Sequence, residues 1–128
     1  MSDGYSKSVR DHFEHPRNVG VLDNPDAVGT AENPASGATM MIYLSLTNRV
    51  VGCATFQAQG CAATIAAGSV LTEMVIGKEP EQICQIGRLD IEEALGGLPP
   101  TRKHSADLAI DAVRMALSNL THQSKNKA

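Results

Sequence analysis

This chain of 128 residues has no tryptophan and only four aromatic side chains, two tyrosines and two phenylalanines. Its core must therefore come from Ala, Val, Ile, Leu and Met, and little is left for stacking nucleic-acid bases. The balance of 11 Lys and Arg against 14 Asp and Glu gives a net charge of −3, with no basic cluster in the sequence. That excludes a phosphate-tracking stripe and, with it, nucleic acid as a partner. No apolar run reaches the length of a membrane span, and the opening Met1-Ser2-Asp3-Gly4-Tyr5 lacks the basic start and apolar stretch of a signal peptide. A cytoplasmic protein with no membrane partner is the expectation. Cysteine is scarce and odd in number, and Cys53, Cys61 and Cys84 make no disulfide framework. There is no phosphate loop, no Gly-x-Ser-x-Gly nucleophile turn and no His-Glu-x-x-His pair, which argues against an ordinary enzyme.

What is present suits one globular domain over residues 1–128: 42% hydrophobic and 20% charged residues, long enough to bury a core without covalent staples. Tyr5, Val9 and Phe13 recur at spacings of four and predict a short helix over residues 5–15, ended by Pro16. Residues 17–39 are rich in Gly, Pro, Asn and Asp and read as an ordered loop pinned by Val19, Val21, Leu22 and Val28. Met40, Ile42, Leu44 and Leu46 alternate with Met41, Tyr43, Ser45 and Thr47, the period of a half-buried strand. Asn48-Arg49 is a two-residue turn without the usual glycine. A second strand over 50–59 then puts Gly52, Ala54, Phe56 and Ala58 on one face. The hairpin can extend to a three-stranded meander.

Residues 61–76 are apolar nearly all round and predict a buried helix with Gly77-Lys78 at its C-terminal end. Two short helices follow, over 80–86 and over 90–95 with Asp90 as N-cap, and Leu98-Pro99-Pro100 is an extended break. The final helix carries the stripe Ala106, Ala109, Ile110, Val113, Leu117 and Leu120 with Ser105 as its cap, and a polar tail frays after Thr121. The fold class is α+β, a small antiparallel sheet of two or three strands packed against helices.

The stretch Gln59-Gly60-Cys61-Ala62-Ala63-Thr64 leaves a strand, turns on Gly60 and enters a helix at a cysteine. The first turn of a helix carries unpaired N–H groups and the positive end of the macrodipole, so a thiol there loses its proton more readily than a free one. Cys53 and Cys84 read as buried filler. His12 and His15 close the first helix, where helix-end effects account for them, and His122 lies in the solvated tail. His104 differs, because it follows a rigid Pro-Pro segment and precedes a helix start.

Several segments together resemble the U-type iron–sulfur scaffold family, which includes IscU, SufU and the N-terminal part of NifU, with a SufE/NifU-like fold. They are Tyr5-Ser6 through His12-Phe13 to Pro16-Arg17-Asn18-Val19-Gly20, then Val28-Gly29-Thr30, Phe56, Gly60-Cys61, and Leu98-Pro99-Pro100-Thr101-Arg102-Lys103-His104. The resemblance implies a non-enzymatic protein of cluster assembly, working with a cysteine desulfurase. It also implies an Hsp70-type chaperone that contacts Leu98, Pro99, Pro100 and Arg102.

The departures concern the ligands. The family binds its cluster through three cysteines and a nearby Asp or His. Its Cys-Gly-Asp triplet reads Ser36-Gly37-Ala38 here, and its His-Cys pair reads His104-Ser105, so Cys61 and His104 are the surviving metal positions. Serine hydroxyls are harder and less acidic than thiols and make poor ligands for iron–sulfur units. An iron–sulfur cluster, iron or zinc would thus be held weakly by one chain. A homodimer pooling Cys61 and His104 from each copy would supply two sulfurs and two nitrogens. Alternatively, Cys61 alone accepts sulfur as a persulfide. Arg102 and Lys103 would then add positive charge beside it. The sequence therefore predicts a scaffold-like protein that accepts iron or sulfur at a site centred on Cys61. The other reading is a pseudo-scaffold that keeps its partner surfaces without stable cluster binding.

Overall fold

A computed structural model describes the backbone of residues 4–126 and the side chains of residues 4–120. Helix α1 (Lys7–Glu14) starts at Ser6, whose hydroxyl accepts from the Val9 N–H at 3.0 Å. Strands β1 (Ala27–Asn33), β2 (Ala38–Thr47) and β3 (Val50–Gln59) form an antiparallel sheet in that order. Then come α2 (Ala62–Val75), α3 (Pro80–Ile83), α4 (Arg88–Ala94) and a 3₁₀ turn (Pro100–Arg102), followed by α5 (His104–Asn126). Helix α2 packs on β3, α5 packs on β1 and β2, and α1 lies against α2. This is the α+β architecture the sequence predicts.

The third strand comes from the segment read as a loop. Ala27, Gly29 and the half-buried Ala31 alternate with Val28, Thr30 and Glu32, but the small side chains leave no hydrophobic period to read. Smallness is what the position requires. A Cβ on Gly29 would stand 2.1 Å from the Ala112 carbonyl oxygen and 2.3 Å from the Ala116 nitrogen, so only glycine lets α5 lie this close to β1. The start of that loop is tied to the sheet by its backbone, since Asn18 and Gly20 exchange hydrogen bonds with Phe56, each 2.9 Å, and not by the valines expected to pin it, because Val19 and Val21 are exposed.

In β2, Met40, Ile42 and Leu44 are buried as predicted, and Leu46 is only half-buried. In β3 the predicted face breaks at a bulge. The register slips between Ser45 and Leu46, so Val51 enters the core while Gly52 is exposed, and Ala54 and Phe56 resume the buried face. Asn48 and Arg49 both take positive φ, 53° and 70°, the signature of a type I′ turn even without glycine. Helix α2 is buried nearly all round, as expected.

Four boundaries depart from expectation. Helix α3 stops at Ile83, short of residue 86. Helix α4 is capped by Gly87, and Asp90 sits in its first turn with its carboxylate accepting from the Gly87 N–H at 2.8 Å. Helix α5 begins at His104, because the 3₁₀ turn feeds directly into it. Ser105 is thereby freed from capping and turned inward, fully buried. The helix also continues past Thr121 to Asn126; the reading of the tail, His122 included, falls outside the described side chains, and Met1 to Asp3 also lie outside the described residues.

Candidate functional site

Strand pairing gathers one end of the sheet. Asn33 pairs with Ala38 and Thr39 pairs with Gln59, so the β1–β2 turn lies at the same end as the exit of β3. There Gly60 adopts φ 156°, and a Cβ on it would come within 2.6 Å of the Thr64 hydroxyl. Only glycine permits that close turn. Cys61 follows as the N-cap residue of α2, with Ala62 opening the helix.

The half-buried Cys61 sulfur meets hydroxyl groups. Thr64 Oγ1 is 3.6 Å from Sγ and Ser105 Oγ is 3.9 Å, and the two hydroxyls are 3.3 Å apart. No hydrogen bond of good geometry closes the cap, but the N–H groups of Thr64 and Ala63 face the sulfur as dipoles. Partial burial pushes the Cys61 thiol up. The Thr64 hydroxyl, the two N–H groups and the Ser105 hydroxyl outweigh it and hold the thiol below its ordinary range. Beyond them lie Tyr5 and Arg102, with Arg102 Nε donating to the Tyr5 hydroxyl at 3.1 Å. Burial raises the Tyr5 phenol; the Arg102 hydrogen bond opposes this, and the adjacent Cys61 charge adds to the rise. Arg102 is held charged by Tyr5 first and then by the charge on Cys61.

The site residues read from sequence are distributed unevenly around this sulfur. Ser105 faces it. His104, one position earlier and about 100° around the helix, is half-buried at the first position of α5. Ser36 is exposed in the β1–β2 turn, where its hydroxyl accepts from the Ala38 N–H at 3.2 Å, and Ala38 is buried as the first residue of β2. Leu98 is buried, Pro99 half-buried and Pro100 exposed. Arg102 stands near Cys61, whereas Lys103 turns away to Glu92 at 2.8 Å.

Cys53 and Cys84 are exposed, contrary to the expectation of buried filler. Cys53 lies beside the bulge, where the outer face of the sheet is open to solvent. His12 is buried and more than a helix-end residue: its Nδ1 is 2.7 Å from Ser69 Oγ and its Nε2 is 3.6 Å from Glu73. Thr64 and Tyr5 were not singled out from sequence as site residues. Thr64 had a readable signal, since a residue three past an N-cap shares its turn. Tyr5 had none, because its partner is 97 positions away.

Among the described residues, no three His, Cys, Asp or Glu side chains gather as a metal site. One thiol ringed by hydroxyls does not fit a cluster that needs about four soft ligands from a single chain.

A three-stranded antiparallel sheet covered by helices, with one thiol at the head of the buried helix, defines a small α+β domain built around a strand–helix junction. The chain belongs to the family of the NifU-like N terminal domain, whose family model matches residues 4–127. It is 46% identical over 113 residues to the iron-sulfur cluster assembly scaffold protein IscU 1 of Archaeoglobus fulgidus, covering 88% of this chain and 74% of that one. It is 38% identical over 128 residues to the iron-sulfur cluster assembly scaffold protein IscU of Escherichia coli, covering 97% and 98%. The crystal structure of a NifU-like protein (N-terminal) from Brucella abortus superposes with a TM-score of 0.74 at 23% identity, over 94% of this chain and 96% of that one. That likeness speaks to the fold.

Proposed function

We propose that this chain serves iron–sulfur cluster assembly as a scaffold-like protein that accepts sulfur on Cys61, without itself being an enzyme. Family membership and relatives named as scaffold proteins support the assembly role. The observation that carries the sulfur-accepting role is the half-buried Cys61 thiol at the head of α2, facing two hydroxyls and two backbone N–H groups and held below its ordinary pKa. Such a thiol is a nucleophile more than a metal cage. Its thiolate attacks the terminal sulfur of a persulfide on a donor, a cysteine desulfurase. A sulfur–sulfur bond forms to Cys61, the donor's own breaks, and the donor cysteine leaves as a thiolate that takes up the proton Cys61 gave up. Cys61 sulfur is oxidised as the donor sulfur is reduced, so no further oxidant is consumed.

Incubation with a cysteine desulfurase and free cysteine, followed by peptide mass spectrometry, tests this. One added sulfur is expected on Cys61 and none on Cys61→Ser. Absence of sulfur on Cys61, or equal labelling of the exposed Cys53 and Cys84, would overturn the reading and favour a partner-binding module.

A further inference from the structure

The groups that act on Cys61 form two sets. Thr64, Ser105 and the N–H groups of Ala63 and Thr64 contact the cysteine sulfur itself. Tyr5 and Arg102 form the second set, one ahead of α1 and the other in the 3₁₀ turn; Tyr5 lines one cavity with Ala62, the residue after Cys61, and both the Tyr5 hydroxyl and the Arg102 charge act on the Cys61 sulfur. Their mutual placement is built. Ser6 donates to the Leu95 carbonyl and Ser8 to the Ala94 carbonyl at 3.2 Å, which clamps the start of α1 onto the end of α4. Tyr5 is carried by that clamp, and its hydroxyl takes the Arg102 Nε–H at 3.1 Å. A second donation, from Arg102 Nη1 to the Thr101 carbonyl at 3.3 Å, helps fix the plane of the guanidinium. Lys103, the neighbouring cation, is drawn off to the buried Glu92. Of the two neighbouring cations, Arg102 is therefore the one left to act on the sulfur.

A persulfide carries its charge on the terminal sulfur, one bond of about 2.0 Å beyond the cysteine sulfur. The donors at the head of α2 are arranged for the inner atom, so the outer atom needs its own. We propose that Tyr5 and Arg102 form a positioning pair for the sulfur carried by Cys61, Tyr5 fixing the guanidinium and both receiving the terminal sulfur of the persulfide. As sulfur arrives, charge passes from the inner atom toward this pair, and donors already in place need no reorganisation. The assignment rests on Cys61 being a sulfur acceptor.

The test uses the full chain with Cys53→Ser and Cys84→Ser, so that Cys61 is the sole thiol, and glutathione persulfide as donor, so that docking of a protein partner plays no part. Stopped loading reactions read by mass spectrometry give the limiting rate and the half-saturating donor concentration. Tyr5→Phe and Arg102→Ala are expected to lower the limiting rate at least about tenfold, with less than about a twofold change in half-saturation and an unchanged melting temperature. Arg102→Lys, which keeps the charge, is expected to recover part of what Arg102→Ala loses. A parent protein that never loads sulfur sinks the sulfur-acceptor reading and this assignment with it. A parent that loads, with Tyr5→Phe and Arg102→Ala loading equally fast, overturns the positioning pair alone.

Discussion

Replacing Ser105 by cysteine should convert the Cys61 site from one metal ligand to two. Two sulfurs on one tetrahedral zinc, each about 2.3 Å from the metal, lie about 3.8 Å apart. Cys61 Sγ and Ser105 Oγ are 3.9 Å apart, so the new thiol starts at chelating distance without backbone movement. A structural zinc site of four ligands is worth about 10–16 kcal/mol, or roughly 2.5–4 kcal/mol for each ligand. A second thiolate should therefore tighten zinc binding on the order of 100-fold. The fold should survive, because the substitution is nearly isosteric. Its main loss is the buried hydroxyl contact to Thr64 at 3.3 Å, about 1 kcal/mol. Zinc titration against a chromophoric chelator under anaerobic, reducing conditions reads the gain, and adding Cys61→Ser should abolish it. A folded Ser105→Cys protein that binds zinc no more tightly than the parent would refute the placement of these two side chains.

Three further outcomes follow from the geometry. Gly29→Ala pushes a Cβ into the backbone of α5 at 2.1 Å, so chemical denaturation should show a loss of about 3 kcal/mol and a melting temperature lowered by roughly 10 °C; a variant within 2 °C, or about 0.5 kcal/mol, of the parent contradicts that contact. Burial, and then the Arg17 charge, depress the His12 pKa below its unfolded value, while Glu73 and Asp11 oppose this. The neutral ring is therefore favoured in the folded chain, and its contribution to stability is complete above about pH 6.5 and declines as pH falls below it. Stability measured at pH 7.5 and pH 5.5 should differ more in the parent than in His12→Gln, and equal differences would show that another group is responsible. Thr64→Val removes the nearer hydroxyl from Cys61, so the pH at which Cys61 becomes half-alkylated by iodoacetamide should rise, whereas an unmoved profile would remove Thr64 from the site.

The legible parts of this molecule are those whose cause is local. Met40, Ile42 and Leu44 alternate because successive strand residues face opposite ways, and the α5 stripe repeats because a helix turns every 3.6 residues. β1 was illegible because its pattern is small residues chosen by the close approach of α5, and Gly29 means nothing until Ala112 and Ala116 lie over it. The predicted face of β3 holds at Ala54 and Phe56 and fails at Gly52 for a related reason: the extra residue there puts Val51 in the core instead, and that bulge exists only in the pairing with β2.

For the site, order along the chain was enough to put Cys61 at the junction of strand and helix, since Gly60 before it and the apolar run after it are local signals, whereas Ser36, Ala38 and Ser105 were singled out only by the family resemblance. What lies around the sulfur was decided by tertiary packing. Ser105 reaches it across 44 positions, and Arg102 is steadied by Tyr5 across 97. One helical residue determines whether His104 or Ser105 faces Cys61, and the 3₁₀ turn leading into α5 fixes that phase. A sequence records which groups exist and how neighbours alternate; only the docking of α1, α2 and α5 brings a hydroxyl, a phenol and a guanidinium to one thiol, because those contacts depend on rotations and distances that no local period encodes.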